Sequence, residues 1–245
     1  MINAPFPPRS PAGTRWQETA ALMTVEEFRR IAAWAHELPE AEFEEARRGL
    51  TTRTYGKGSY ICHVGDRLDS WTGVADGLVK MSTTSRTGKS TTLTGMRSGA
   101  WFGEGTVLKS EPRRYDLVAL RETRLVMMKR STFLWLFEHS VAFNRFLVHQ
   151  FNERLAQFIA LAETDRTLDS TSRIARNLAW LFNPILYPST NLTLSISQEE
   201  LGLLAGVSRQ MANQGLARLE TAGLLHVGHG SVTIRDLDRL SRYES

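Results

Sequence analysis

The chain has little of what builds covalent or metal-held scaffolds. It carries one cysteine, Cys62, among 245 residues. No disulfide can close within a chain, and a cysteine-held zinc or iron–sulfur site is excluded. No apolar run reaches the roughly eighteen residues that a membrane-spanning helix needs. The first residues, MINAPFPPRSPAGTRW, lack the basic-then-apolar order of a secretory signal. Their prolines and small residues predict a flexible tail over residues 1–22. These absences predict a soluble, cytoplasmic protein with no membrane partner. Catalytic signatures are missing too: there is no phosphate-binding GxxxxGK[ST] loop, no GxSxG, no HExxH and no metal-spaced His/Cys set. Enzyme activity is therefore not expected.

Charge of one sign is also scarce where it would be most informative. The chain carries a net charge of +4, yet Thr167–Ser245 holds seven arginines, no lysine and seven acidic residues. That segment is neutral. Any affinity for nucleic acid there must come from local placement of Arg209, Arg218 and a helix N-terminus.

What is present is patterned. Met23 to Leu50 reads as helical, with Thr24 and Glu27 at capping-box spacing. From Thr52 to Met128 short runs of β-formers alternate with glycine turns: Tyr60–Val64, Trp71–Val74, Leu78–Met81, Thr91–Met96, Leu117–Leu120 and Arg124–Met128. Evenly spaced short strands predict an antiparallel barrel or jelly roll. Thr132–Glu138 then predicts a short helix, and Val141–Thr164 a long one. Phe143, Leu147, Phe151, Leu155, Phe158 and Ala162 form the long helix's stripe. So much apolar surface needs cover on two sides, and the same helix of a second chain is an expected partner. Asp169 caps a further helix, Thr190–Ile196 alternates like a strand, and a boundary between domains is expected near Thr167–Asp169.

The most legible stretch is SQEELGLLAGVSRQMANQGLARLETAGLL, Ser197–Leu225. Ser197 and Glu200 make a second capping box. Gly206 breaks this helix, Ser208 caps the next, and Gly223 stops it. Two short helices around a glycine turn predict a helix-turn-helix. On the second helix Ala212, Leu216 and Leu219 share a burying face. Arg209, Gln210, Asn213 and Gln214 share the opposite one and match base edges in a major groove. Leu224–Val227, the turn Gly228-His229-Gly230-Ser231 and Val232–Ile234 predict a hairpin. Such a wing would lie along phosphates, with His226 and His229 near them.

GVSRQMANQGLARLETAGLL resembles the DNA-binding signature of the Crp/Fnr superfamily of bacterial transcription regulators, through Gly206, Ser208, Arg209, Leu216, Leu219, Gly223 and Leu224. Gln214 stands where many members carry a second arginine. The resemblance extends over about Leu50 to Ile234. It implies an α+β fold in three parts: an N-terminal antiparallel, jelly-roll-like β-roll sensor, a long dimerisation helix and a C-terminal winged helix-turn-helix. The implied domains are 23–138, 139–166 and 167–245. It also implies a homodimer on double-stranded DNA with a palindromic site, and RNA polymerase as a partner of an activator. The implied DNA contacts are Ser197, Gln198, Ser208, Arg209, Gln210, Asn213, Gln214, Arg218 and His229.

In that superfamily the sensor's phosphate cassette is Phe-Gly-Glu with an arginine about ten residues on. Phe102, Gly103, Glu104 and Arg114 resemble it. By the resemblance Glu104 accepts from a ribose hydroxyl and Arg114 pairs with a cyclic phosphate, with Gly103 and Gly105 allowing close backbone approach. Tyr115 and Asp116 replace two small residues after the arginine. Phe158 and Ile159 stand where binders of cyclic AMP place hydroxyl residues against adenine. The effector stays open between cyclic AMP, cyclic di-GMP, another ligand and none. Haem would draw on His63, His139 and His149, although a histidine in a strand or helix more commonly packs. The alternative function is a nucleotide-binding sensor whose winged domain mediates protein contacts.

Overall fold

The structure, a computed structural model, describes residues 16–19, 23–84, 90–167, 169–188 and 191–244. The residues described form two compact units. One comprises residues up to Thr91 with Arg97–Asn144, and the other Thr92–Met96 with Arg145 onward.

The first unit opens with β1 (Trp16–Thr19), paired antiparallel to β2 (Leu50–Tyr55). This strand falls inside the segment expected to be a flexible tail, and the remainder of that tail lies outside the described residues. The predicted helical stretch is three pieces: α1 (Val25–Ile31), a 3-10 turn (Ala33–Glu37) and α2 (Glu40–Arg48). Thr24 caps α1 by accepting from the Glu27 N–H at 3.2 Å. Pro39, which cannot sit inside a helix without losing a hydrogen bond, separates the 3-10 turn from α2.

The strands that follow are β3 (Tyr60–Cys62), β4 (Ser70–Asp76), β5 (Leu78–Thr84), β6 (Ser90–Arg97) and β7 (Trp101–Phe102). After α3 (Glu104–Lys109) come β8 (Asp116–Ala119) and β9 (Thr123–Lys129). They build two sheets in the orders β1-β2-β9-β4-β7 and β3-β8-β5-β6, in which β2 and β9, β4 and β9, β4 and β7, β3 and β8, and β5 and β8 pair antiparallel. α4 (Arg130–His139) packs on β4 and β9. The core is aromatic. Trp34, Trp71, Trp101, Phe133 and Phe143 are all buried, and the Trp71 ring lies 4.4 Å from Trp101 and 5.3 Å from Phe143.

α5 runs Val141–Thr167 and begins in the first unit. Its buried positions are Phe143, Leu147, Gln150 and Gln157, while Val141, Val148, Phe151, Leu155, Phe158 and Ile159 are exposed. In the second unit α6 (Ser170–Trp180) starts at Asp169, whose carboxylate accepts from the Ser172 N–H at 2.8 Å. The expected boundary there includes Leu168, which lies outside the described residues. β10 (Thr193–Ser195), α7 (Gln198–Ala205), α8 (Arg209–Thr221), β11 (Leu225–Gly228), β12 (Ser231–Ile234) and α9 (Leu237–Ser241) complete it. The small sheet runs β10-β12-β11, so the segment before the helix pair does join the hairpin as a strand. Among the described residues no helix is long and apolar enough to cross a membrane.

Candidate functional site

Two groups of side chains carry chemistry, one in each unit. In the second unit the capping box forms as the spacing predicts. Ser197 Oγ accepts from the Glu200 N–H at 3.2 Å, and Glu200 Oε2 accepts from the Ser197 N–H at 2.6 Å. Gly206 ends α7 in the left-handed conformation at φ 65°, and Ser208 Oγ caps α8 by accepting from the Met211 N–H at 3.2 Å. Each serine oxygen accepts one backbone N–H, and its hydroxyl hydrogen stays available to a phosphate.

α8 separates by face. Ala212, Gly215, Leu216 and Leu219 are buried; Arg209, Gln210, Asn213 and Gln214 are exposed. Gln198 of α7 donates its Nε2 to Asn213 Oδ1 at 2.9 Å. The two helices therefore share one polar surface, with the Asn213 amide turned so that its NH2 group faces outward from that bond. Arg218, also expected at DNA, donates to Thr171 Oγ1 at 3.4 Å and ties α8 to α6. His229 is exposed in the hairpin turn. Sequence reasoning missed Glu220. Its Oε1 accepts from the Val227 N–H at 2.9 Å and from His226 Nδ1 at 2.8 Å, clamping the wing to the end of α8. These bonds, the backbone one first, hold the Glu220 carboxyl below its usual range.

In the first unit the cassette residues lie around α3. Gly103 caps this helix at φ 98°, a conformation open to glycine and poorly tolerated by other residues. A Cβ there would fall on the guanidinium of Arg113. Arg113 is 1% exposed. It donates Nη1 to Tyr115 Oη at 2.8 Å and Nη2 to the Ser70 carbonyl at 3.2 Å. Arg114, one residue on, projects to solvent with its side chain 80% exposed and pairs with Glu111 at 2.9 Å. The expectation placed Arg114 at the ligand; the residue beside Gly103 is Arg113. β8 begins at Asp116, so both arginines lie in the segment before it. There the Arg113 backbone is bonded at both its N–H and its carbonyl, to Asp66 and Gly65, with its side chain buried and that of Arg114 exposed.

Asp116 accepts from the Val64 N–H at 2.9 Å. Burial pushes the Tyr115 phenol up, with Arg113 pulling the other way and the Glu104 charge adding to the rise. Gly105 has open space around it. Phe158 and Ile159, expected near the ligand, are exposed on α5 in the second unit. Burial likewise raises the Cys62 thiol to about 12, so it stays protonated at neutral pH. Of the histidines considered for haem, His63 stacks on Tyr60 at 4.1 Å, and His139 stacks on Trp135 and bonds its carbonyl at 2.8 Å.

Comparison with known proteins agrees with this division. A family model described as a cyclic nucleotide-binding domain matches residues 52–140, and one described as a Crp-like helix-turn-helix domain matches residues 172–243. The chain is 27% identical over 201 residues to the cyclic AMP receptor protein of Thermus thermophilus, covering 82% of this chain and 91% of that one. It is 28% identical over 224 residues to a CRP-like cAMP-activated global transcriptional regulator of Mycobacterium tuberculosis, covering 86% and 91%. Among solved structures, the c-di-GMP responsive global regulator CLP of Xanthomonas campestris aligns with a TM-score of 0.56 at 25% identity, over 80% of this chain and 99% of that one. A sensor domain of this kind followed by this helix-turn-helix, in relatives matched over most of their length, makes the protein a DNA-binding transcription regulator of the Crp/Fnr superfamily.

Proposed function

We propose that the protein acts in the cytoplasm as a homodimer that reads a palindromic duplex through the outer face of α8, under the control of a small effector bound in the first unit. The observation that carries the reading is the split of α8. Four side chains able to fork onto base edges stand exposed at Arg209, Gln210, Asn213 and Gln214, while Ala212, Leu216 and Leu219 fix the helix from behind. A single arginine suits one guanine, and the amides suit neighbouring adenines. Ser197, Ser208, the α8 N-terminus and His229 supply contacts to phosphate. Binding rather than catalysis is the role of the first unit, since a buried arginine beside a glycine turn and a carboxylate suits an anion that carries hydroxyl groups.

Support for the dimer comes from α5. Val141, Val148 and Leu155 repeat every seven residues, and Phe151 and Phe158 lie three residues after Val148 and Leu155, all exposed. This 3-4 spacing is that of a coiled-coil seam. Two such chains would present their α8 helices to successive major grooves about one helical turn apart.

Selection from random duplex pools tests the reading, run with no ligand and with cyclic AMP, cyclic GMP or cyclic di-GMP. The expected product is an inverted repeat with a guanine in each half-site. Arg209→Ala is expected to lose discrimination at that guanine, worth about 1–3 kcal/mol. Enrichment of no sequence under any of the four conditions would overturn the reading.

A further inference from the structure

Among the described residues no carboxylate pairs with the buried Arg113 guanidinium. A fully buried guanidinium ordinarily meets a carboxylate, because an uncompensated buried charge is costly. The two bonds of Arg113 go to neutral oxygens, and its Nε has no hydrogen-bond partner. Two more polar atoms of the same region are buried without partners: Glu104 Oε2 and Ser70 Oγ. Ser70 is the residue whose carbonyl holds Arg113 Nη2, and Glu104 follows the glycine on which the guanidinium rests.

Arg113 itself is fixed. Its carbonyl accepts from the Gly65 N–H at 2.8 Å, and its N–H donates to the Asp66 carbonyl at 2.9 Å. Gly103 closes one side of its side chain. Tyr115 is half-buried and meets the guanidinium through its hydroxyl at 2.8 Å and its ring face, with the guanidinium carbon 5.8 Å from the ring centroid. The phenol is neutral at pH 7, so it satisfies a hydrogen bond without answering the charge.

We infer that Tyr115 is the gate of the effector site: its hydroxyl holds the arginine end that an anionic ligand must take, and the ligand binds by displacing Tyr115 from Arg113. This rests on the effector reading above and deepens it. A phosphodiester oxygen makes a shorter, charge-assisted bond to the same Nη1 and repays the loss of the phenol. A hydroxyl on the same ligand gives Glu104 Oε2 the donor it lacks. A neutral ligand can offer that hydroxyl but cannot answer the Arg113 charge, and so does not repay the loss of the phenol. Tyr115 thus sets both the threshold for binding and the preference for an anion, and Arg113, not Arg114, pairs with it.

Calorimetric titration of the full-length protein with cyclic AMP, cyclic GMP and cyclic di-GMP tests the gate in four forms. These are wild type, Tyr115→Phe, Arg113→Gln and Arg114→Gln. Tyr115→Phe keeps the ring and frees Nη1, and is expected to bind the accepted nucleotide about tenfold tighter than wild type. Arg114→Gln is expected to bind as wild type, and Arg113→Gln to lose binding. Because Arg113→Gln removes a buried side chain and can unfold the domain, a second measurement stands apart from it. With five tyrosines in the chain, 3-fluorotyrosine labelling gives a resolvable fluorine spectrum in which Tyr115→Phe identifies one line. That line is expected to shift as ligand saturates. Equal affinity of wild type and Tyr115→Phe, or a Tyr115 line unmoved at saturation, overturns the gate and leaves the effector reading standing. Loss of binding in Arg114→Gln also overturns it. Failure of both wild type and Tyr115→Phe to bind any of the three nucleotides overturns the gate and the effector reading together.

Discussion

Gln198 and Asn213 show how much a single side-chain bond decides. An asparagine on a free helix face can flip its amide, offering either an oxygen or an NH2 group to a base. Here the Asn213 oxygen accepts from Gln198 Nε2 at 2.9 Å, which fixes the amide's orientation and leaves the NH2 group free to donate and one oxygen lone pair free to accept. Gln198 is then a positioning residue. Gln198→Ala is expected to broaden the base preference opposite Asn213 by about 3- to 10-fold while leaving discrimination at the Arg209 position intact. Duplex selection with the variant checks this; unchanged preference at both positions would show that the pair is incidental. The sequence offers both residues as expected DNA contacts, but their bond is not legible in it, because they lie on different helices and fifteen positions apart. The arginine of the sensor was harder still. A count of ten from Glu104 reaches Arg114, whereas the buried guanidinium beside Gly103 is that of Arg113. Nothing in the sequence separates the two neighbours, because the backbone bonds that fix Arg113 go to Asp66 and Gly65, far off along the chain.

At the level of elements, caps and turns were the readable part. Thr24, Asp169, Ser197 and Ser208 each accept from the backbone N–H three residues on, as their spacing predicts. The long helix was less readable, for a physical reason. Its stripe of Phe143, Leu147, Phe151, Leu155 and Phe158 merges two seams. Phe143 and Leu147 belong to the buried one, which continues through Gln150 and Gln157, polar residues that hide it; Gln157 donates to Thr94 Oγ1 at 3.0 Å. The wing depends on Glu220 at the end of α8. Glu220→Ala is expected to lower amide protection at Val227 by an order of magnitude at pH 7 while sparing Leu216 in the middle of α8, as read by hydrogen exchange. The same tie gives a pH dependence. The Glu220 carboxyl is held below its usual range, so its stabilisation is present in full above the ordinary carboxylate value of about 4.3 and is lost as pH falls through the lower folded value. Val227 protection, corrected for intrinsic exchange, should therefore hold at pH 5 and decline in stronger acid. A rise in protection on acidification would contradict the role given to this carboxylate.

For the whole molecule, the deciding feature is the apolar surface that α5 leaves uncovered. Val148 is 59% exposed, Leu155 60% and Phe158 40%, on a helix whose other side is already buried. Isolated apolar residues on a surface need no explanation, but a row of them at 3-4 spacing along one helix does. In the proposed homodimer a second copy of the same helix would cover it. Two-fold pairing would set each residue near its own equivalent, so one charge introduced at the seam would appear twice and close together. Leu155→Asp is therefore expected to convert a dimer into the 27.6 kDa monomer, read as mass by light scattering during size-exclusion chromatography. Asn152→Asp is the control one turn away and off the seam, and should leave the dimer intact. The monomer should keep its folded cores, because Leu155 is 60% exposed, and so retain the thermal transition of the first unit. Its duplex affinity should fall by at least about 100-fold, because one α8 reading one half-site loses the effective concentration that links the two. A Leu155→Asp protein that still ran at twice the chain mass would remove α5 as the dimer interface. One that became monomeric yet bound the palindrome undiminished would separate dimerisation from DNA reading.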